Sequence, residues 1–194
     1  MFNDRSTPLS LLLTRRSGKP RDMVVPGPTA GQMTTMLRVA ARVPDHGKLF
    51  PWRFVTIAAD RRAAFGDMLV AAYCAERPPE SPAPRDREID EVRAFAHQAP
   101  ALVVVLSRVD SASKIPAWEQ ELSAGAACGL LVAAASAAGF VGGWLTGWAA
   151  YSPAVAQSVG QPGDRIAGFV FIGSPGRDLE ERPRPNLTDV VRAW

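Results

Sequence analysis

The stretch from Trp118 to Ala138 constrains this chain more than any other part of it. It is long, rich in alanine and apolar on nearly every side, and Gly139, Gly142 and Gly143 follow it closely. A helix of this kind needs cover over most of its surface, so it belongs in a core or at a subunit interface. The apolar run from Ala124 to Trp148 is interrupted by glycine, serine and threonine, which argues for a buried helix followed by a glycine turn, and against a membrane span. Glu119 and Glu121 stand near the start of the helix, where acids match the helix dipole. Facing a ligand pocket is a second role open to them.

The rest of the chain supplies partners for that helix. Thr7 and Pro8 open a helix through Arg16, with Leu9, Leu12 and Leu13 on one face. Residues 18–28, rich in proline and glycine, read as a loop. Thr29 and Gln32 have capping-box spacing ahead of a helix that carries Met33, Met36, Leu37, Ala40 and Ala41 and ends at Pro44. Trp52 to Ala58 alternates as a strand, with Trp52 expected in the core. Asp60 is expected to cap a third helix, the proline-rich 76–87 segment to be a surface loop, and 86–97 to be a fourth helix. Ala101 to Ser107 is a continuous apolar strand, and residues 109–116 are irregular. Ser152 and Pro153 open a short helix through Val159, and Ile166 to Ile172 is a further strand. Residues 173–176 read as a turn, and the apolar tail Leu187 to Trp194 is free to pack across a neighbouring surface. This order implies an α+β fold with a small sheet and several helices. Its length of 194 residues suits a single domain, 1–194.

Bulk properties exclude several function classes. Lysine and arginine number 22 against 19 acids, and this mild excess is spread along the chain. A nucleic-acid binder concentrates its charge, and no nucleic-acid motif is present. Cys74 and Cys128 form neither a CxxC pair nor a metal spacing, and both are expected to be small core residues. Asp4 and Arg5 precede only a short apolar run, so no signal peptide is expected and a cytoplasmic setting follows. G-x-S-x-G, H-E-x-x-H and the P-loop are all missing from the sequence.

What remains is a set of anion-binding side chains beside glycine-rich, aromatic segments. Arg15-Arg16-Ser17 offers two guanidiniums and a hydroxyl to a phosphate, although basic residues at a helix C-terminus also serve the dipole alone. Arg42-Val43-Pro44-Asp45-His46 joins a helix to a strand and carries one of the two histidines. His46 is suited either to a ligand oxygen or to holding its own loop. Gly142 to Gly147, containing Trp144, Leu145 and Thr146, reads as a loop whose backbone can approach a flat ring. Arg177 follows a second glycine-containing turn. This inventory suits a phosphate-bearing planar cofactor better than side-chain catalysis.

In these residues the chain resembles the nitroreductase family of flavin-dependent oxidoreductases, specifically its small, minimal members. The resemblance rests on Arg15-Arg16-Ser17, on Arg42-x-Pro44-Asp45-His46 with Pro51-Trp52, and on Pro116-x-Trp118-Glu119-Gln120-Glu121 followed by Ser123-Ala124-Gly125. It continues through Gly139-Phe140-x-Gly142, Trp144-x-Thr146-Gly147, Gly168-Phe169 and Gly173-Ser174-Pro175. It implies an α+β homodimer with FMN at the interface. Arg15, Arg16 and Ser17 would hold the phosphate and ribityl chain, and Arg42 and His46 would come from the partner. Trp144, Leu145 and Thr146 would line the flavin ring, and Arg177 would be a further phosphate ligand. Lys19 stands where larger relatives carry arginine, and the segment around Leu145 lacks an arginine that the resemblance leads one to expect before the serine or threonine. The implied activity is reduction of nitroaromatic or quinone-like acceptors by NADH or NADPH in ping-pong turnover. A flavin-binding protein with little turnover is the rival reading, and a basic nucleic-acid-binding module ranks third.

Overall fold

A computed structural model describes residues 2–78 and 80–194; Met1 and Pro79, the latter within the expected 76–87 loop, lie outside the described residues. Its centre is an antiparallel sheet. The strands are β1 (Met23–Val24), β2 (Trp52–Thr56), β3 (Ala101–Ser107), β4 (Val141–Leu145) and β5 (Arg165–Pro175). The long β5 organises the sheet. It pairs with β3 from Ala101↔Ile172 to Ser107↔Arg165, with β4 from Val141↔Gly173 to Leu145↔Phe169, and at its end with β1. β2 closes the order on the free edge of β3.

Helices cover both faces, which explains why β3 reads as an unbroken apolar run. Leu102, Val104 and Leu106 point into a cluster with Phe65 and Leu69 of α3 (Arg62–Ala75) and Val92 of α4 (Asp86–Phe95). Val103 and Val105 point the other way, toward Met36 and Ala40 of α2 (Ala30–Ala40) and Cys128 and Leu131 of α5 (Ala117–Ala137). α2 starts where its sequence says. The Thr29 hydroxyl accepts from the Gln32 N–H at 3.3 Å, and the Gln32 side chain accepts from the Thr29 N–H at 2.9 Å.

α5 buries Ala124, Ala127, Cys128, Leu131 and Ala135 against the sheet. Its opposite face is bare: Trp118 is 66% exposed and Leu122 51%. The short α1 (Pro8–Thr14) buries nothing, so the expected Leu9, Leu12 and Leu13 face also stands in solvent. Among the described residues, no helix is long and apolar enough to cross a membrane.

Four sequence expectations need correction. Residues 142–145 form strand β4, because pairing with β5 outweighs the turn preference of two glycines. Those glycines are needed for close approach: a Cβ at Gly142 would lie 3.2 Å from Val132 Cα of α5, and one at Gly143 2.8 Å from the Gly18 carbonyl. The expected turn at 173–175 is likewise the end of β5, held by β1 and β4. Asp60 caps nothing; it lies in a 3-10 turn, Ala59–Arg61, that precedes α3. Cys74 is exposed on α3, whereas Cys128 is buried. Three further helices complete the described elements: α6 (Trp148–Tyr151), α7 (Pro153–Val159), capped by Ser152, and α8 (Leu187–Val190), whose residues are exposed.

Candidate functional site

α1 ends at Thr14 because Arg15 turns to extended backbone (φ −57°, ψ 130°). Arg15 to Lys19 therefore leave the helix as a strap that crosses β4 at Gly143. Between this strap and the C-terminal half of α5 lies a groove of about 620 Å³, with Gly129, Val132 and Trp144 along it. That volume lies in the range of small-molecule sites. The Trp144 indole is fixed along one wall. Its Nε1–H donates to the Ala167 carbonyl at 3.1 Å, and the ring lies against Gly168, where any Cβ would overlap it. It remains 43% exposed, presenting a flat apolar wall.

The other end of the groove is cationic. Arg16 donates to the Glu180 carbonyl at 2.5 Å and lies 3.9 Å from Glu181, and Lys19 is 3.4 Å from Glu180. The Arg15 guanidinium has no carboxylate partner among the described residues; its one hydrogen bond there goes to the Ser17 hydroxyl at 3.3 Å. Burial, then the Arg184 and Arg16 guanidiniums, push its pKa below the usual arginine range. A half-buried cation beside two others, with a hydroxyl at hand, has the electrostatics to hold an anion. A phosphate-bearing ligand with a flat ring fits these residues: phosphate against Arg15 and Ser17, ring toward Trp144.

Comparison with known proteins places the chain in a family. The Nitroreductase family model matches residues 15–174. The chain belongs to the nitroreductase family. It is 35% identical over 168 residues to YdjA of Escherichia coli (strain K12), by name a candidate NAD(P)H nitroreductase, covering 86% of this chain and 87% of that one. The fold matches a nitroreductase-like protein from Bacillus cereus with a TM-score of 0.82 at 19% identity, over 97% of this chain and 96% of the other. It also matches a candidate nitroreductase from Exiguobacterium sibiricum, solved in complex with FMN, with a TM-score of 0.71 at 14% identity over 97% and 98% of the chains. As a nitroreductase-family member, the protein is an oxidoreductase.

Within this nitroreductase fold, Arg15, Arg16, Ser17, Trp144 and Leu145 all line the one groove. Leu145 points largely away from it, because alternation along β4 packs its side chain against the Phe169 side of the core. Thr146 follows the strand in an exposed position. Arg177 lies across the Arg16–Lys19 strap in a smaller cleft, 3.7 Å from Asp22. Arg42 and His46 are elsewhere. Arg42 is exposed just past α2, and His46 Nδ1 lies 2.7 Å from Glu119 Oε2 in the first turn of α5. Glu119 precedes Gly129 by ten positions, about 15 Å of helix.

Three contributors were not legible as site residues. Arg182 lines the groove and Arg184 acts on Arg15 from a proline-rich, charged segment that reads as solvated tail. Gly129 lines it, and a Cβ there would meet open space. The small residues of α5 carried that signal, but helix periodicity alone assigns them to packing.

Proposed function

We propose that the chain is an FMN-dependent oxidoreductase that uses NADH or NADPH to reduce nitroaromatic or quinone-like acceptors by a ping-pong mechanism. The observation that carries the reading is Arg15, a half-buried cation without a carboxylate partner at the end of a groove walled by Trp144. FMN held there would supply hydride transfer between the nicotinamide and the acceptor. The chain's residues bind and orient. Arg15, Arg16 and Ser17 hold the phosphate by charge-assisted hydrogen bonds, with Arg177 at the rim of the strap. Trp144, Leu145 and Thr146 border the ring, with the indole fixed by Ala167 and Gly168. No side chain is assigned a proton-transfer or nucleophilic step, so none is named catalytic.

The working unit is a homodimer with two grooves at its one interface. The groove mouth opens beside Gly129, on the same α5 face as exposed Trp118 and Leu122. A second copy seated on that face would bury the apolar surface and exclude water from the grooves. It would also bring Arg42 and His46, remote along α5 from their own chain's groove, to the groove of the other chain. An absorbance spectrum of purified protein, followed by anaerobic titration with NADH and with NADPH, tests the reading. Bound flavin that bleaches promptly with either donor is expected. Protein that neither carries nor takes up FMN overturns it, and flavin that neither donor reduces favours the flavin-binding alternative.

A further inference from the structure

The turn that carries His46 is tied down at three points. The Asp45 carboxylate accepts the Leu49 N–H at 3.1 Å and the Phe50 N–H at 3.0 Å. The Ser123 hydroxyl donates to the Pro44 carbonyl at 2.8 Å, and His46 Nδ1 meets Glu119 Oε2 at 2.7 Å. Between these ties, Gly47, Lys48 and Phe50 have φ of 79°, 57° and 49°. Left-handed backbone at two non-glycine residues is costly, and it persists where surrounding contacts over-determine it. The cost is not recovered as stability through the His46–Glu119 pair. The imidazole is 64% exposed and the carboxylate 43%, and exposed pairs contribute little. What three ties and a strained turn do secure is one orientation of one ring.

We propose that Glu119 is a positioning residue that fixes His46 in the Nδ1–H tautomer and so sets the hydrogen-bonding character of Nε2. An ionised carboxylate only accepts hydrogen bonds, so a 2.7 Å contact to Nδ1 places the proton on that nitrogen. Glu119 stands in the first turn of α5, where a negative charge matches the helix dipole. In the neutral ring, Nε2 then carries a lone pair and no proton. It has no partner among the described residues, and it is complementary to a ligand hydroxyl or N–H. The Asp45 and Ser123 ties keep the turn in register with α5, so that Glu119 and His46 meet. The assignment rests on the reading that His46 serves the flavin held by a second copy.

The chain has only two histidines, His46 and His97, so long-range ¹H–¹⁵N spectra of histidine-labelled protein are readily assigned with His46→Gln. Wild type is expected to show His46 as the Nδ1–H tautomer before FMN is added. Glu119→Ala is expected to move it toward the Nε2–H tautomer and to weaken FMN binding about tenfold, the loss of one oriented hydrogen bond. Glu119→Gln, whose amide oxygen still accepts from Nδ1, should keep the tautomer and bind FMN within about twofold of wild type. A purely structural role for Glu119 would move the melting curve and not the tautomer. The proposal is overturned if Glu119→Ala leaves the wild-type tautomer, or changes it while FMN binds as tightly as before. A wild type that takes up no FMN is a different result: it defeats the function reading itself.

Discussion

Arg15 shows at the residue scale what a half-buried cation costs. Its guanidinium is held in a half-buried position against Arg184 and Arg16, and no carboxylate among the described residues balances it. Arginine remains charged at any working pH, so the folded apoprotein carries that repulsion. Arg15→Gln is therefore expected to raise the apoprotein's melting temperature by a few degrees, about 1 kcal/mol, because the groove is open to screening. The same change should weaken FMN binding by at least about tenfold, since a charge-assisted bond is lost. Opposite signs in calorimetry and flavin titration are the signature; a merely structural arginine would lower both. Cys128 gives a second test. Burial pushes its thiol up to about 12, while the unfolded chain's thiol ionises from about pH 8.5. The raised folded value means that the stability it contributes is complete below pH 8.5 and falls as pH climbs toward 12. Urea midpoints of wild type should therefore drop more between pH 8 and 10 than those of Cys128→Ala. At neutral pH, one thiol per folded chain, the exposed Cys74, should react with a thiol reagent, and Cys128 should react after unfolding.

At the element scale, the groove depends on β4 and β5 lying closer than ordinary side chains permit. Gly168 lies against the Trp144 indole, and its missing side chain lets Nε1 reach the Ala167 carbonyl. Gly168→Ala is expected to drive the indole off the strand. The cost should be about 2 kcal/mol by thermal unfolding, as for an overpacked core site, together with a clear loss of FMN affinity by titration. The reason such strands are hard to read is physical. Gly142, Gly143 and Gly147 carry the same local signal as a turn, and only the partner strand and α5 reveal that two of them serve close packing. Where local chemistry and tertiary demand coincide, the sequence was sufficient. Thr29 and Gln32 specify their own helix start, and the unbroken apolar run of β3 announces cover on both faces. The strap Arg15–Ser17 was legible because its charge is clustered, whereas Arg182 and Arg184 were hidden in a segment whose composition resembles any solvated tail.

For the whole molecule, one chain leaves two things unfinished on the same side. The apolar α5 face carries Trp118 and Leu122 in solvent, and the groove opens along that helix beside Gly129. Large apolar side chains grouped on one helix face are a mark of a surface that is covered in the working state. His46, Glu119 and Arg42 also stand by the start of α5 or the end of α2, away from their own chain's groove. Covering the face with a second copy would address both features and would make assembly and cofactor binding parts of one equilibrium. Leu122→Glu tests that coupling, because Leu122 is half exposed, lines no part of the groove and supports little of the chain's own core. A carboxylate buried at a dimer interface without a partner costs several kcal/mol. Leu122→Glu should therefore sediment as a monomer at concentrations where wild type is a dimer, with its circular dichroism unchanged. If the two grooves are completed across the interface, the monomer should lose FMN by at least about tenfold, and high protein concentration should restore dimer and flavin together. Dissociation with undiminished flavin affinity would mean that each groove is complete within its own chain. Linked recovery of dimer and flavin would show that each groove is completed across the interface.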